Sequence, residues 1–70
     1  MASVVKVIEV IAQSESGFDD AVRRAVQEAS RTIHGIKHVW VDNFSATVAG
    51  DRVTEYRVNA KISFVLDENR

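Results

Sequence analysis

Cysteine and proline are both missing from the 70 residues, and glycine occurs only three times. The first absence rules out disulfides and thiolate-held metal together. The second, with no low-complexity stretch and no internal repeat, leaves nothing that reads as a linker. Charge of one sign is also scarce, since 9 Lys and Arg stand against 10 Asp and Glu for a formal net charge of -1. That balance gives no electrostatic footprint for nucleic acid or an anionic membrane. No apolar run approaches the ~20 residues that cross a bilayer. Met1 to Lys6 lacks the charged-then-apolar pattern of a secretory signal. The expectation is a cytoplasmic protein that binds neither nucleic acid nor membrane. The catalytic inventory is equally thin: no Ser-His pairing at a recognised turn, no paired carboxylates with a cleft of their own, and no Gly-rich phosphate loop. The chain is not expected to be an enzyme.

What remains fits one small domain, residues 1–70. A chain of this size buries only roughly 60% of the surface it exposes when unfolded, so a lone copy is marginal. With disulfides excluded, self-association is the natural supplement. Gly17, Gly35 and Gly50 fall where four elements would need punctuation. Val4, Val5, Val7, Ile8, Val10 and Ile11 form a β-branched run broken only by Lys6 and Glu9, which favours a strand covered substantially on both sides.

From about Ser16 to Ile33, Phe18, Ala21, Val22, Ala25, Val26, Ala29 and Ile33 recur at three- and four-residue intervals, opposite Arg23, Arg24, Gln27 and Arg31. This is an amphipathic helix. Ser14 or Ser16 can cap its start, Asp19 and Asp20 suit the first turns, Arg31 and His34 suit the end, and Gly35 can take the left-handed C′ conformation.

The last half reads as a hairpin, Lys37 to Ala49 and Arg52 to Leu66 around a Gly50-Asp51 turn of the Gly-X type. Tyr56, Val58, Ala60, Ile62, Phe64 and Leu66 point one way along the final strand, and Glu55, Arg57, Asn59, Lys61 and Ser63 the other. The turn predicts that Val39 faces Ile62, Val41 faces Ala60, Trp40 faces Lys61, Asp42 faces Asn59 and Phe44 faces Arg57. The helix then packs on Val39, Val41, Val58, Ala60, Ile62 and Phe64, giving an α+β domain of order β-α-β-β. His38, Trp40, Asp42, Phe44, Ala46 and Val48 fall on the opposite face with Glu55, Arg57, Asn59 and Lys61. No second helix exists to cover that face, so another copy of the chain is the expected cover. The face can be an interface and nothing more, or it can hold a planar ligand stacked on Trp40 within a pocket that the oligomer closes.

The element order, the strand Val7-Ile8-Glu9-Val10-Ile11 before a Ser-rich helix start, and the ending from Val53-Thr54-Glu55-Tyr56-Arg57 to Ile62-Ser63-Phe64 resemble the dodecins over nearly the whole chain. The resemblance implies one helix on a three-stranded antiparallel sheet and assembly into a homododecameric shell. It further implies flavin (riboflavin, FMN or FAD) held between subunits, with stacked isoalloxazine rings between Trp side chains and a Gln on the last strand bonding the ring edge. Aligned without gaps, His38 occupies the Trp position and Arg57 the Gln position. Trp40 lies two residues later on the same face, displaced by about 7 Å. The implied ligand-binding set is His38, Trp40, Asp42 and Arg57.

A guanidinium offers donors only, unlike the Gln amide, and suits a carboxylate or phosphate. At Tyr56-Arg57 the chain is similar to a dodecin branch linked to calcium rather than flavin, and a flavin-free shell with a structural or cation-binding role is the alternative. Asp42 and Glu55 could gather carboxylates about a symmetry axis, although a cross-strand pair of Asp42 with Arg57 or Lys61 is the simpler reading. A histidine metal site would need partners from other subunits, because His34 and His38 lie on different elements. The acidic pair Asp19-Asp20 reads as a helix first turn and Asp67-Glu68-Asn69-Arg70 as a solvated tail.

Overall fold

The computed structural model describes residues 4–66. Strand β1 (Val5–Ser14), helix α1 (Phe18–Ala29), strand β2 (Ile36–Ala49) and strand β3 (Arg52–Val65) follow in that order. They form a three-stranded sheet of order β1-β3-β2 with both pairings antiparallel. The strand with the cleanest alternation, β3, is therefore central. Its Val58, Ala60 and Ile62 are fully buried beneath α1, which approaches the sheet through the small residues Ala21 and Ala25. The polar tail at residues 67–70 lies outside the described residues.

Both helix ends differ from the simplest expectation. Gly17 is the N-cap residue and makes no side-chain cap bond. Ser14, the last residue of β1, instead accepts from the Ser16 N–H at 2.9 Å and donates to Asp20 Oδ2 at 2.5 Å. Asp20 also accepts from Arg24 Nε at 2.8 Å. Strand end and first helical turn are thus tied through one carboxylate. The helix stops at Ala29, before Arg31 and His34, with the cap residue Ser30 in the right-handed conformation. Gly35 cannot be its C′ residue, because that position must directly follow the cap. It has φ +80° and serves the entry to β2, where its carbonyl accepts from the Val65 N–H at 3.2 Å.

The hairpin turn has the expected form: Ala49 pairs with Arg52, Gly50 has φ +66°, and Asp51 stays at negative φ. Val39 pairs with Ile62, Trp40 with Lys61 and Val41 with Ala60 as the turn predicts. Beyond Val41 the expected register fails. The next paired residue is Asn43, opposite Asn59, so Asp42 is an extra residue in β2. Such a bulge turns every following side chain to the other face. Phe44 consequently pairs with Val58 rather than Arg57, and Ala46 with Tyr56, both on the helix side. A second shift separates Thr47 from Val48.

Strand β1 is not covered on both sides. It pairs only with β3, and α1 shields only its Ile8, Val10 and Ala12 side, so Val5, Val7 and Ile11 stay exposed. The lengths of the elements explain this. A 12-residue helix is about 18 Å long, whereas each 14-residue hairpin strand runs for about 46 Å. One helix cannot cover such a sheet.

Candidate functional site on the uncovered sheet face

Strand pairing arranges the face turned away from α1 in rows across β1, β3 and β2. They run Val7–Ser63–His38, Glu9–Lys61–Trp40, Ile11–Asn59–Asn43 and Gln13–Arg57–Ser45. Each residue stands there because it is odd in the β1 or β3 alternation, or because β2 matches that alternation on either side of its bulge.

The first two rows hold two of the four residues singled out in the sequence, His38 and Trp40, and the bulge residue Asp42 reaches the second of them through Lys61. The His38 and Trp40 rings lie with centroids 5.1 Å apart and planes inclined at 53°. Trp40 keeps 43% of its surface exposed, enough for a planar group to lie against it. At the bulge, Asp42 Oδ2 lies 3.7 Å from Lys61 Nζ. Lys61 is the cross-strand partner of Trp40. The pairing expected for Asp42 is therefore the one with Lys61 and not the one with Arg57. It leaves the carboxylate half-exposed and salt-screened, a contact of modest strength.

Arg57 stands apart from this group. It lies four residues along β3 from Lys61, about 13 Å away at strand rise. Its contacts are with β1: Nε donates to Gln13 Oε1 at 3.0 Å and Nη2 to the same oxygen at 2.6 Å. A single chain thus presents an aromatic pair and a guanidinium at separate places on one face. Gln13 was missed in the sequence. The signal that could have found it is the period-two continuation of Glu9 and Ile11, which becomes informative once β1 is paired with β3. Among the described residues, no three His, Cys, Asp or Glu side chains come together as a metal-binding group. No helix among them is long and apolar enough to cross a membrane.

The family model for dodecin matches residues 4–67. The chain belongs to the dodecin family. The dodecin of Thermus thermophilus is 29% identical over 68 residues, spanning 97% of this chain and 99% of that relative. Among solved structures, the dodecin from Streptomyces coelicolor superposes with a TM-score of 0.89 at 31% identity over 96% of each chain. A calcium-chelating immunodominant antigen from Mycobacterium tuberculosis, described as a calcium dodecin with a novel calcium-binding site, superposes at 0.79 with 28% identity over 97% of each chain. The β-α-β-β order and the helix-on-sheet packing are thus those of the dodecin fold. The likeness extends from the first strand to the end of the third, so the uncovered face and its rows lie wholly within the matched region.

Proposed function

We propose that this dodecin is an oligomeric binding or storage protein whose ligand lies between subunits on the uncovered sheet face, with flavin as the first choice of ligand. Binding, not turnover, is the proposed activity. The observation that carries this reading is the half-exposed Trp40 ring beside His38 on a face without a covering element. A flat aromatic ligand gains both stacking and burial there. Arg57 lies about 13 Å away on the same strand face, turned to Gln13 of its own chain. Under this proposal a second copy supplies the guanidinium, which ties the ligand site to the oligomer. In this reading His38 or Trp40 stacks on the isoalloxazine, Asp42 and Lys61 flank it, and Arg57 of another copy bonds its polar edge. The homododecamer is the assembly that the family resemblance implies, and the cytoplasm is the expected compartment.

Titrating riboflavin or FMN with the purified protein tests the reading, because a ring stacked on Trp40 loses its fluorescence. Quenching that saturates at micromolar flavin, and weakens in Trp40→Ala, is the expected result. Unchanged flavin fluorescence at those concentrations removes flavin as the ligand.

The second reading, a flavin-free shell that binds a cation, is favoured by the likeness to the calcium dodecin. In one chain Asp42 is engaged by Lys61, so carboxylates from several copies would have to converge, as hard cations require. Calcium titration by calorimetry separates the two readings, with Asp42→Asn abolishing the heat only in the second.

A further inference from the structure

The row Gln13–Arg57–Ser45 has a chemistry distinct from the rest of the face. Arg23, Arg24, Arg31 and Lys61 each lie within 4.0 Å of a carboxylate. No carboxylate of the described residues comes that close to Arg57. Its neighbour is a neutral amide, so its positive charge is held in place but not neutralised. Both of its bonds end on Gln13 Oε1. That oxygen is the amide's only side-chain acceptor, and the amide NH2 makes no hydrogen bond among the described residues. Arg57 Nη1 is likewise free to donate, and the Ser45 hydroxyl lies across the strand pair on the other side. The acidic residues nearest in register, Glu55 and Glu15, lie two residues farther along their strand or loop and outside ion-pair distance.

We infer that this row is an oxyanion site, taking the carboxylate or phosphate of a small molecule through Arg57 Nη1, the Gln13 amide and the Ser45 hydroxyl. A group that must itself donate a proton finds no suitable acceptor on Gln13 or Arg57. A planar or tetrahedral oxyanion accepts from every group presented, and a charged acceptor makes the stronger bond. Gln13 matters because it fixes the guanidinium plane beforehand, so less side-chain freedom is lost when the anion arrives.

The inference rests on the proposed ligand face but gives Arg57 the ligand's anionic group in place of the flavin ring edge, and it does not need flavin to be the ligand. Three probes distinguish the sources of the oxyanion: inorganic phosphate, riboflavin and FMN, which adds a phosphate to the same ring. Phosphate binding is read as the rise in thermal midpoint at constant ionic strength, and flavin binding as fluorescence quenching. Wild type is compared with Arg57→Gln and Gln13→Ala.

A phosphate-dependent rise in wild type that is lost in Arg57→Gln establishes the site for the free anion. A preference of about tenfold for FMN over riboflavin, the worth of one charged hydrogen bond, that falls to near unity in Arg57→Gln establishes it for the anion carried on a flavin. Gln13→Ala should retain part of either effect. If neither effect depends on Arg57, the oxyanion site is overturned even where both flavins quench. If neither flavin quenches, the flavin reading falls and the phosphate arm alone decides the site.

Discussion

Phe44 of β2 meets Phe18 at the start of α1 edge to face, with ring centroids 5.1 Å apart and planes inclined at 84°. Tyr56 of β3 meets the same Phe18 ring at 5.0 Å and 77°. Phe44 reaches this cluster only because the extra residue at Asp42 turns it to the helix side. The three rings extend the core past the point where the sheet outruns the helix, and Phe44 still leaves 55% of its surface exposed. Edge-to-face pairs contribute about 0.5–1.5 kcal/mol beyond their burial. A double-mutant cycle of Phe18→Ala and Phe44→Ala should therefore give a coupling of about 1 kcal/mol in urea unfolding. Additive losses would mean that Phe44 does not pack on Phe18. Deleting Asp42 should destabilise by more than Phe44→Ala, since it sends Phe44 and Ala46 together to the opposite face.

Gly35 is held at φ +80°, and an added Cβ would lie 3.3 Å from the Val65 carbonyl oxygen. Backbone strain and crowding therefore act in the same direction. The strand pairing that begins here brings Ile36 opposite Phe64 and carries β2 to the rest of the sheet. Gly35→Ala should destabilise by about 1–2 kcal/mol, the cost of left-handed backbone for an L-residue. An unchanged thermal midpoint would show that the loop relaxes without strain. Gly50 makes a useful contrast: its φ is also positive, but nothing lies within 4 Å of an added Cβ. Gly50→Asn should thus be nearly neutral, because Asn tolerates the left-handed region.

Much of this architecture is legible in the residues themselves. The helix stripe is visible from Phe18 to Ala29 because its apolar spacing matches 3.6 residues per turn. The facing of β3 follows from an alternation that runs unbroken from Tyr56 to Phe64, and the short turn at Gly50-Asp51 fixes the pairs beside it, Ala49 with Arg52 and Val48 with Val53. The expected pairs of Val39, Trp40 and Val41 recur because the two register shifts between them and the turn cancel. The bulge at Asp42 is not legible. One inserted residue changes the facing of everything after it, yet Asp42 and Asn43 differ little from the residues that alternation would place there. The bond between Arg57 and Gln13 is hidden for another reason: the residues are 44 positions apart, and only the pairing of β1 with β3 sets them side by side. Local chemistry made His38 and Trp40 visible, whereas long-range register decides which neighbours Arg57 has.

Asp20 ties the start of α1 to the end of β1, and its carboxyl is held below the ordinary carboxylate value. The hydrogen bond from Ser14 is the largest cause, followed by the bond from Arg24. A carboxyl with a lowered folded value stabilises the fold fully above its unfolded value, about 3.9, and loses that contribution as pH falls through the folded value. Thermal midpoints followed from about pH 5 downward should therefore decline. Ser14→Ala, which removes the largest cause, should make the decline shallower, and Asp20→Asn shallower still. A Ser14→Ala variant with the same acid profile as wild type would place the sensitivity on other carboxylates.

Ile11 tests whether the uncovered face meets another copy. It is 60% exposed, lies between Glu9 and Gln13 on its strand, and pairs with Asn59 across the sheet. Within a single chain Ile11→Lys replaces one exposed side chain by another among polar neighbours, a change that ordinarily costs no more than about 0.5 kcal/mol. Buried against a symmetry mate, the same lysine would have no carboxylate arranged to receive it, and its desolvation would oppose assembly. Light scattering after size exclusion should accordingly show a multiple of the 7.8 kDa chain mass for wild type and a smaller particle for Ile11→Lys. Far-UV circular dichroism should be unchanged between them. If wild type itself runs as a single chain, its exposed Val5, Val7, Ile11 and Trp40 face water without a partner copy, and a ligand site shared between copies is lost with it. If Ile11→Lys keeps the wild-type mass, the contact lies elsewhere on the chain, and the long outer part of the hairpin around Val48 and Val53, which is also exposed, becomes the surface to alter next.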